Sequence, residues 1–163
     1  AVESALSGSG VEVCNYNTES QIVIGGKQSD IEVLMPQLKD AGIRMAIPLK
    51  VSSVSHMSLL LPASNELRVV LDTIEFKQPT LDFIGNVSAD YQTEGFAQSL
   101  QQQISQRTRM YETITRMIQD GVEEFIEIGP KGSISKFVAA SDKSLKTFCI
   151  YDLESLLAYQ ERN

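Results

Sequence analysis

Apolar and polar side chains alternate through residues 11–17, and a short β-branched run follows at residues 21–26. Thr18-Glu19-Ser20 between them suits a turn, so the pair reads as a β-hairpin. Ser29 and Asp30 are helix-starting residues, and Ile31, Leu34, Leu38 and Ala41 follow at helical spacing up to Gly42. Pro36 falls inside that stretch and is expected to kink or shorten the helix. Residues 43–51 then read as a strand. A second helix is expected over residues 58–74, a compact strand at 81–84, and a polar loop from Gly85 to Gly95. Helices at 94–104 and 110–120 come next, the latter closed by Gly121, then a strand at 124–128 ended by Gly129-Pro130. A helix at 133–140, a strand at 147–151 and a terminal helix at 153–160 complete the series. From residue 75 onward, strand and helix alternate as in a parallel α/β layer, whereas the first fifty residues look like a separate α+β lobe. The opening Ala1-Val2-Glu3-Ser4-Ala5-Leu6 resembles the tail of a helix running into Ser7-Gly8-Ser9-Gly10, so the chain is expected to be a piece of something longer.

Composition narrows the function classes. With 163 residues and 42% hydrophobic side chains, the chain is long enough to bury a working core. Fourteen basic against 21 acidic side chains give a net charge of −7, which argues against nucleic acid as a partner. The apolar run at Leu59-Leu60-Leu61 stops at Pro62, so no membrane span is expected. Cys14 and Cys149 are far apart and the chain has one histidine, so no metal site is expected. A cytoplasmic location follows by default.

That histidine, His56, falls between a strand and the next helix, where α/β proteins place catalytic groups. It reads either as a general base tuned near neutral pH or as a hydrogen-bonded loop histidine. A base needs a nucleophile, and no G-x-S-x-G elbow or glycine-rich phosphate loop occurs in the chain. Cys14 reads as a buried, inert thiol, and Glu127 as a residue that caps a neighbouring element.

Three runs carry a resemblance. Asn15-Tyr16-Asn17-Thr18-Glu19-Ser20-Gln21-Ile22-Val23-Ile24-Gly25-Gly26 is similar to the N-x-N-x-x-x-Q-x-V-I-x-G segment of malonyl-CoA:acyl carrier protein transacylases. Pro48 to His56, with Leu61-Pro62-Ala63 after it, resembles that family's catalytic-histidine segment. Gly121-Val122 through Glu127-Ile128-Gly129-Pro130 resembles its G-V-x-x-x-x-E-x-G-P strand and turn. The resemblance runs through essentially the whole chain and is to the family's carboxyl-terminal half.

It implies an α/β fold. Residues 1–51 would form a ferredoxin-like α+β small subdomain lacking its first strand. Residues 52–163 would form the carboxyl-terminal part of an α/β-hydrolase-like parallel-sheet subdomain. The implied reaction moves malonyl from coenzyme A to the phosphopantetheine thiol of acyl carrier protein, in fatty acid or polyketide synthesis. His56 would be the base and the main-chain carbonyl of Gln103 would orient it. Asn15, Asn17 and Gln21 are the implied substrate-binding candidates. No resident cofactor is implied, since coenzyme A enters as the substrate thioester. The family's nucleophile elbow, oxyanion-hole segment and malonyl-binding arginine lie in its other half, so the isolated chain is expected to be inactive. Where the family carries a P-V-x-W-type segment, this chain has Arg107-Thr108-Arg109-Met110.

Carrier proteins are acidic, which makes Arg107, Arg109, Arg116, Lys131 and Lys136 candidates for docking them; a solvated helix face is the other reading. Two readings of the whole chain remain open. It is one part of a transacylase whose other half is a further partner, or it is a non-catalytic module that binds a carrier protein or subunit.

Overall fold

The computed structural model describes residues 2–43, 45–49, 51 and 53–162, with the side chain of Lys131 outside the described set. Helix α1 (Val2–Leu6) leads through a turn into strands β1 (Glu12–Tyr16) and β2 (Ile22–Gly25), which pair antiparallel. The turn at Thr18 to Gln21 is closed by backbone bonds in both directions between those two residues. Pairing of Val13 with Ile24 and of Asn15 with Val23 leaves Cys14 in a bulge. The Cys14 carbonyl accepts from Thr108 N–H at 2.9 Å, and Tyr16 N–H donates to the Thr108 carbonyl at 3.0 Å. Residue 108 therefore lies alongside β1 and ties the hairpin to the later half of the chain.

Helix α2 (Gln28–Asp40) covers the hairpin together with α1, and Leu6, Val11, Val13, Leu34 and Leu38 form the buried cluster between them. Pro36 does not shorten this helix, which runs on to Asp40. Pro36 and Glu32 are both exposed, so the Glu32 carbonyl that loses its helical donor faces water. Gly42, at φ +82°, supplies the left-handed residue that ends the helix, as expected.

Two expected strands are absent. The described residues of 43–51 carry no strand, and Arg44 and Lys50 lie outside the described residues. Met45, Ile47, Leu49 and Val51 still alternate, but all four side chains are exposed, Met45 by 76%. An alternating segment forms a ladder only when another strand accepts its hydrogen bonds, and none of the described strands lies beside this one. Residues 81–84 likewise form no strand, only a bridge between Ile84 and Tyr91 across a tight loop. Their apolar character is used in packing instead, with Phe83 and Phe76 placed 5.7 and 6.0 Å from the Phe96 ring.

A 3₁₀ turn (Ser58–Leu60) runs directly into α3 (Leu61–Leu71), and α3 packs along α4 (Phe96–Ser105). Helix α5 (Met110–Gln119) stops before Gly121, at φ +90°. Strands β3 (Glu124–Ile128) and β4 (Lys146–Ile150) are parallel and in register from Glu124 with Lys146 to Ile128 with Ile150. Helix α6 (Ser133–Ser141) makes the crossover between them, and α7 (Leu153–Gln160) returns onto β4 through Tyr159 and Phe148. This is the mixed α/β chain anticipated, with one antiparallel and one parallel two-stranded sheet among the described residues. Among the described residues no helix is long and apolar enough to cross a membrane.

Two measurements check this packing. Leu34 is 1% exposed in the first cluster, so Leu34→Ala is expected to cost about 2–5 kcal/mol in a denaturant melt. Its exposed neighbour Val33→Ala is expected to stay within about 0.5 kcal/mol. Burial, reinforced by the nearby Glu12 charge, pushes the Cys14 thiol up to about 11, so at neutral pH it is protonated and a poor nucleophile. Iodoacetamide is therefore expected to spare Cys14 in the folded chain and modify it after denaturation, read by peptide mass mapping.

Candidate active site

The last carbonyls of an α-helix have no partner within the helix and must find donors elsewhere. At the end of α4 three successive carbonyls do so. Gln102 accepts from the Gln106 amide at 2.8 Å, as the chain turns extended. Gln103 accepts from the His56 ring, with Nδ1 at 2.7 Å. Ile104 accepts from the His56 backbone amide at 3.1 Å. One residue thus closes two adjacent carbonyls, through its ring and its backbone.

This grip comes with an unfavourable backbone. His56 has φ +59°, the left-handed region, where a side chain costs roughly 1–2 kcal/mol. The neighbours hold it there. Met57 is buried, and the Leu60 amide bonds to its carbonyl at 3.0 Å. Gly25 lies against it on the hairpin side: a Cβ there would stand 2.7 Å from Cys14 Sγ and 3.4 Å from Met57 Sδ. Next along, the Ser58 amide and hydroxyl both donate to the Glu12 carboxylate on β1, the amide at 3.0 Å. Behind the α4 end, Ser64 of α3 is 1% exposed and donates to the Gln101 carbonyl at 2.7 Å, with Ser105 Oγ 3.3 Å away. Two helices and the hairpin meet at this point.

The ring chemistry follows from the contact. A carbonyl oxygen only accepts, so the Gln103 contact requires a proton on Nδ1. In the neutral imidazole Nε2 then carries the free lone pair and is the nitrogen able to take a proton from another group. Among the described residues no cluster of three or more His, Cys, Asp or Glu is gathered that could hold a metal ion.

The other sequence-derived candidates lie elsewhere. Asn15 is committed to Thr108, its Nδ2 donating to Oγ1 at 2.8 Å, and the Asn17 amide closes the hairpin turn onto the Gln21 carbonyl at 3.0 Å. Gln21 lines a cavity of about 360 Å³ with Thr18, Ser20, Ser133 and Lys136, at the turn end of the hairpin. Glu12 and Gly25, by contrast, are the hairpin end nearest His56. The arginines are paired locally. Arg107 bonds to Glu3 at 2.7 Å and lies over the Tyr16 ring. Arg109 is bonded to Glu112 and to the Ser88 carbonyl. Arg116 reaches Asp120 at 2.9 Å and Asp90 at 3.3 Å. Hydrogen bonds from Tyr91 and Arg116 hold the Asp120 carboxyl below its usual range. The Lys131 side chain lies outside the described residues.

Glu127 does cap a neighbour, accepting from Ser135 N–H and Oγ–H at 2.8 and 2.9 Å at the start of α6. Burial by itself would raise its carboxyl, but hydrogen bonds from Ser135, Ile134 and Ser133 outweigh that and hold it low. Sequence reasoning missed Glu12, Ser58 and Ser64. Ser58 carried a detectable signal, a capping-type residue just ahead of a helical stripe, whereas Glu12 reads only as the polar half of an alternating strand.

The chain is 37% identical over 148 residues to the malonyl CoA-acyl carrier protein transacylase of Bacillus subtilis, an alignment covering 90% of this chain and 47% of that protein. The crystal structure of MCAT from Streptococcus pneumoniae superposes with a TM-score of 0.91 at 38% identity, covering 99% of this chain and 53% of the other. A structure of a type II PKS acyl-carrier protein in complex with its malonyl-transacylase matches with a TM-score of 0.90 at 30% identity, again over 99% and 53%. No protein-family model matches the chain. The chain spans about half the length of the relatives it matches. In sequence and in fold it is therefore a homologue of the malonyl CoA-acyl carrier protein transacylases over about half of their length.

Proposed function

We propose that this chain is the carboxyl-terminal half of a malonyl-CoA:acyl carrier protein transacylase and that His56 is its general base. The observation that carries the reading is the 2.7 Å contact between His56 Nδ1 and the Gln103 carbonyl, which leaves Nε2 to exchange protons. In this reading residues 1–51 are the ferredoxin-like lobe and residues 52–163 belong to an α/β-hydrolase-like lobe. The serine nucleophile and the oxyanion donors lie outside the chain. Nε2 takes the serine proton as the serine oxygen attacks the malonyl thioester carbonyl. The departing coenzyme A sulfur takes that proton back as the carbon–sulfur bond breaks. The phosphopantetheine thiol of acyl carrier protein then gives its proton to Nε2 and attacks the acyl-serine, and the serine oxygen leaves with the proton. The Gln103 carbonyl orients the ring throughout and stabilises the imidazolium between steps.

Exposed apolar side chains favour the half-enzyme over a self-sufficient module. Ile128 is 84% exposed on β3, and Tyr151, Leu153 and Leu157 stand open beyond β4. Parallel sheets normally bury both faces, so these residues suit an interior covered by further polypeptide. For carrier-protein docking, Arg107, Arg109, Arg116, Lys131 and Lys136 remain the proposed cations. Local partners already offset the charge of the three arginines, which leaves them a smaller share of the attraction.

Intact mass spectrometry tests the reading. The 163-residue chain incubated with malonyl-CoA is expected to gain no acyl group by itself. Mixed with a polypeptide comprising the other half of the Bacillus subtilis relative, it is expected to support malonyl loading of that partner and transfer to acyl carrier protein. His56→Ala in the mixture is expected to slow transfer by about 10²–10⁴-fold. An assembled pair that transfers equally fast with His56→Ala would remove the base from this account.

A further inference from the structure

We infer that Glu12, acting through Ser58, is a positioning residue that holds His56 in its strained conformation against α4. The inference rests on the reading of His56 as the base. Three residues in a row are anchored on different elements: His56 by its amide on Ile104 and its ring on Gln103, Met57 by burial, and Ser58 by its amide and hydroxyl on Glu12. A left-handed non-glycine residue persists only where its surroundings over-determine it. Without the last anchor, the peptide after His56 is free to relax towards negative φ, and the ring would swing off the Gln103 carbonyl.

Glu12 is suited to the task. Its carboxylate accepts two bonds at the first turn of the Ser58–Leu71 helical stretch, where a negative charge also complements the helix dipole. It stands on β1, whose register is fixed by β2 on one side and by Thr108 on the other. Thr108 follows α4 by three residues, so the same strand that carries Glu12 is tied to the helix that receives the ring. The distance between the two anchors of the loop is thereby set by one rigid element.

Because His56 is the sole histidine, ¹⁵N-histidine labelling of the 163-residue chain yields one imidazole whose ring-nitrogen shifts report the tautomer. The wild type is expected to show a protected Nδ1–H. Glu12→Ala is expected to speed exchange of that proton by about tenfold or more, the scale of losing hydrogen bonds to a charged acceptor, and to admit the Nε2–H tautomer. Glu12→Gln keeps a carbonyl acceptor for the Ser58 amide and is expected to restore most of the protection. A folded Glu12→Ala chain with wild-type Nδ1 protection overturns the inference. If Glu12→Ala does not fold, Ser58→Ala decides: faster Nδ1 exchange supports the anchor, and unchanged exchange overturns it. In the reconstituted mixture Glu12→Ala is expected to lower kcat and leave KM for malonyl-CoA unchanged. Glu12-dependent protection together with full transfer by His56→Ala would keep the positioning and refute only the base.

Discussion

A helix that ends inside a protein must satisfy its final carbonyls, and at the end of α4 that requirement organises the surrounding structure. The donors for Gln103 and Ile104 come from His56, which lies ahead of α3, so the end of α4 cannot be completed until the segment before α3 is in place. The α3–α4 packing, with Ser64 buried against the Gln101 carbonyl, fixes the two helices at the depth this contact needs. Thr108, just beyond α4, carries the alignment to β1. The proposed base is thus located by the closing of a helix, with no carboxylate dedicated to its ring.

The rest of the chain divides by how much apolar surface each part covers for itself. Around the hairpin, Leu34 and Leu38 of α2 close over Val11 and Val13, and the lobe has a core of its own. Around β3 and β4 the covering is one-sided. Val138, on α6, is fully buried, yet Ile126 and Ile128 remain open on neighbouring β3. The segment at Met45 to Val51 repeats the pattern, an alternating apolar edge with no ladder. These open faces stand beside a match that spans about half the length of the relatives.

Local features were readable from sequence, and features depending on a distant partner were not. The bounds of β3 and α7 follow from short-range patterning and, for β3, from the Gly129-Pro130 stop; the structure adds a capping box at Asp152 that closes the start of α7. Alternation at 43–51 and 81–84 promised strands because a period of two records a side-chain pattern and says nothing of a neighbour to pair with. The Glu12–Ser58 contact joins residues 46 apart, and no local rule points to it. The sequence hides Glu3 and Asp90 folding back onto the docking candidates Arg107 and Arg116, whereas Glu112 and Asp120 lie one helical turn from Arg109 and Arg116, within reach of local rules. The pairing of His56 with residue 103 came from family resemblance, since nothing in the side chain of Gln103 announces it.

That last point has an evolutionary side. The acceptor holding the His56 ring is a peptide oxygen, a group that nineteen other residue types would present equally well. Substitution at position 103 therefore leaves the acceptor chemically intact so long as the helix ends at the same residue. What selection can act upon there is the place where α4 stops. An insertion or deletion of one residue before that end would rotate the terminal carbonyls by about 100° and advance them about 1.5 Å, leaving every functional side chain present and the ring without its seat.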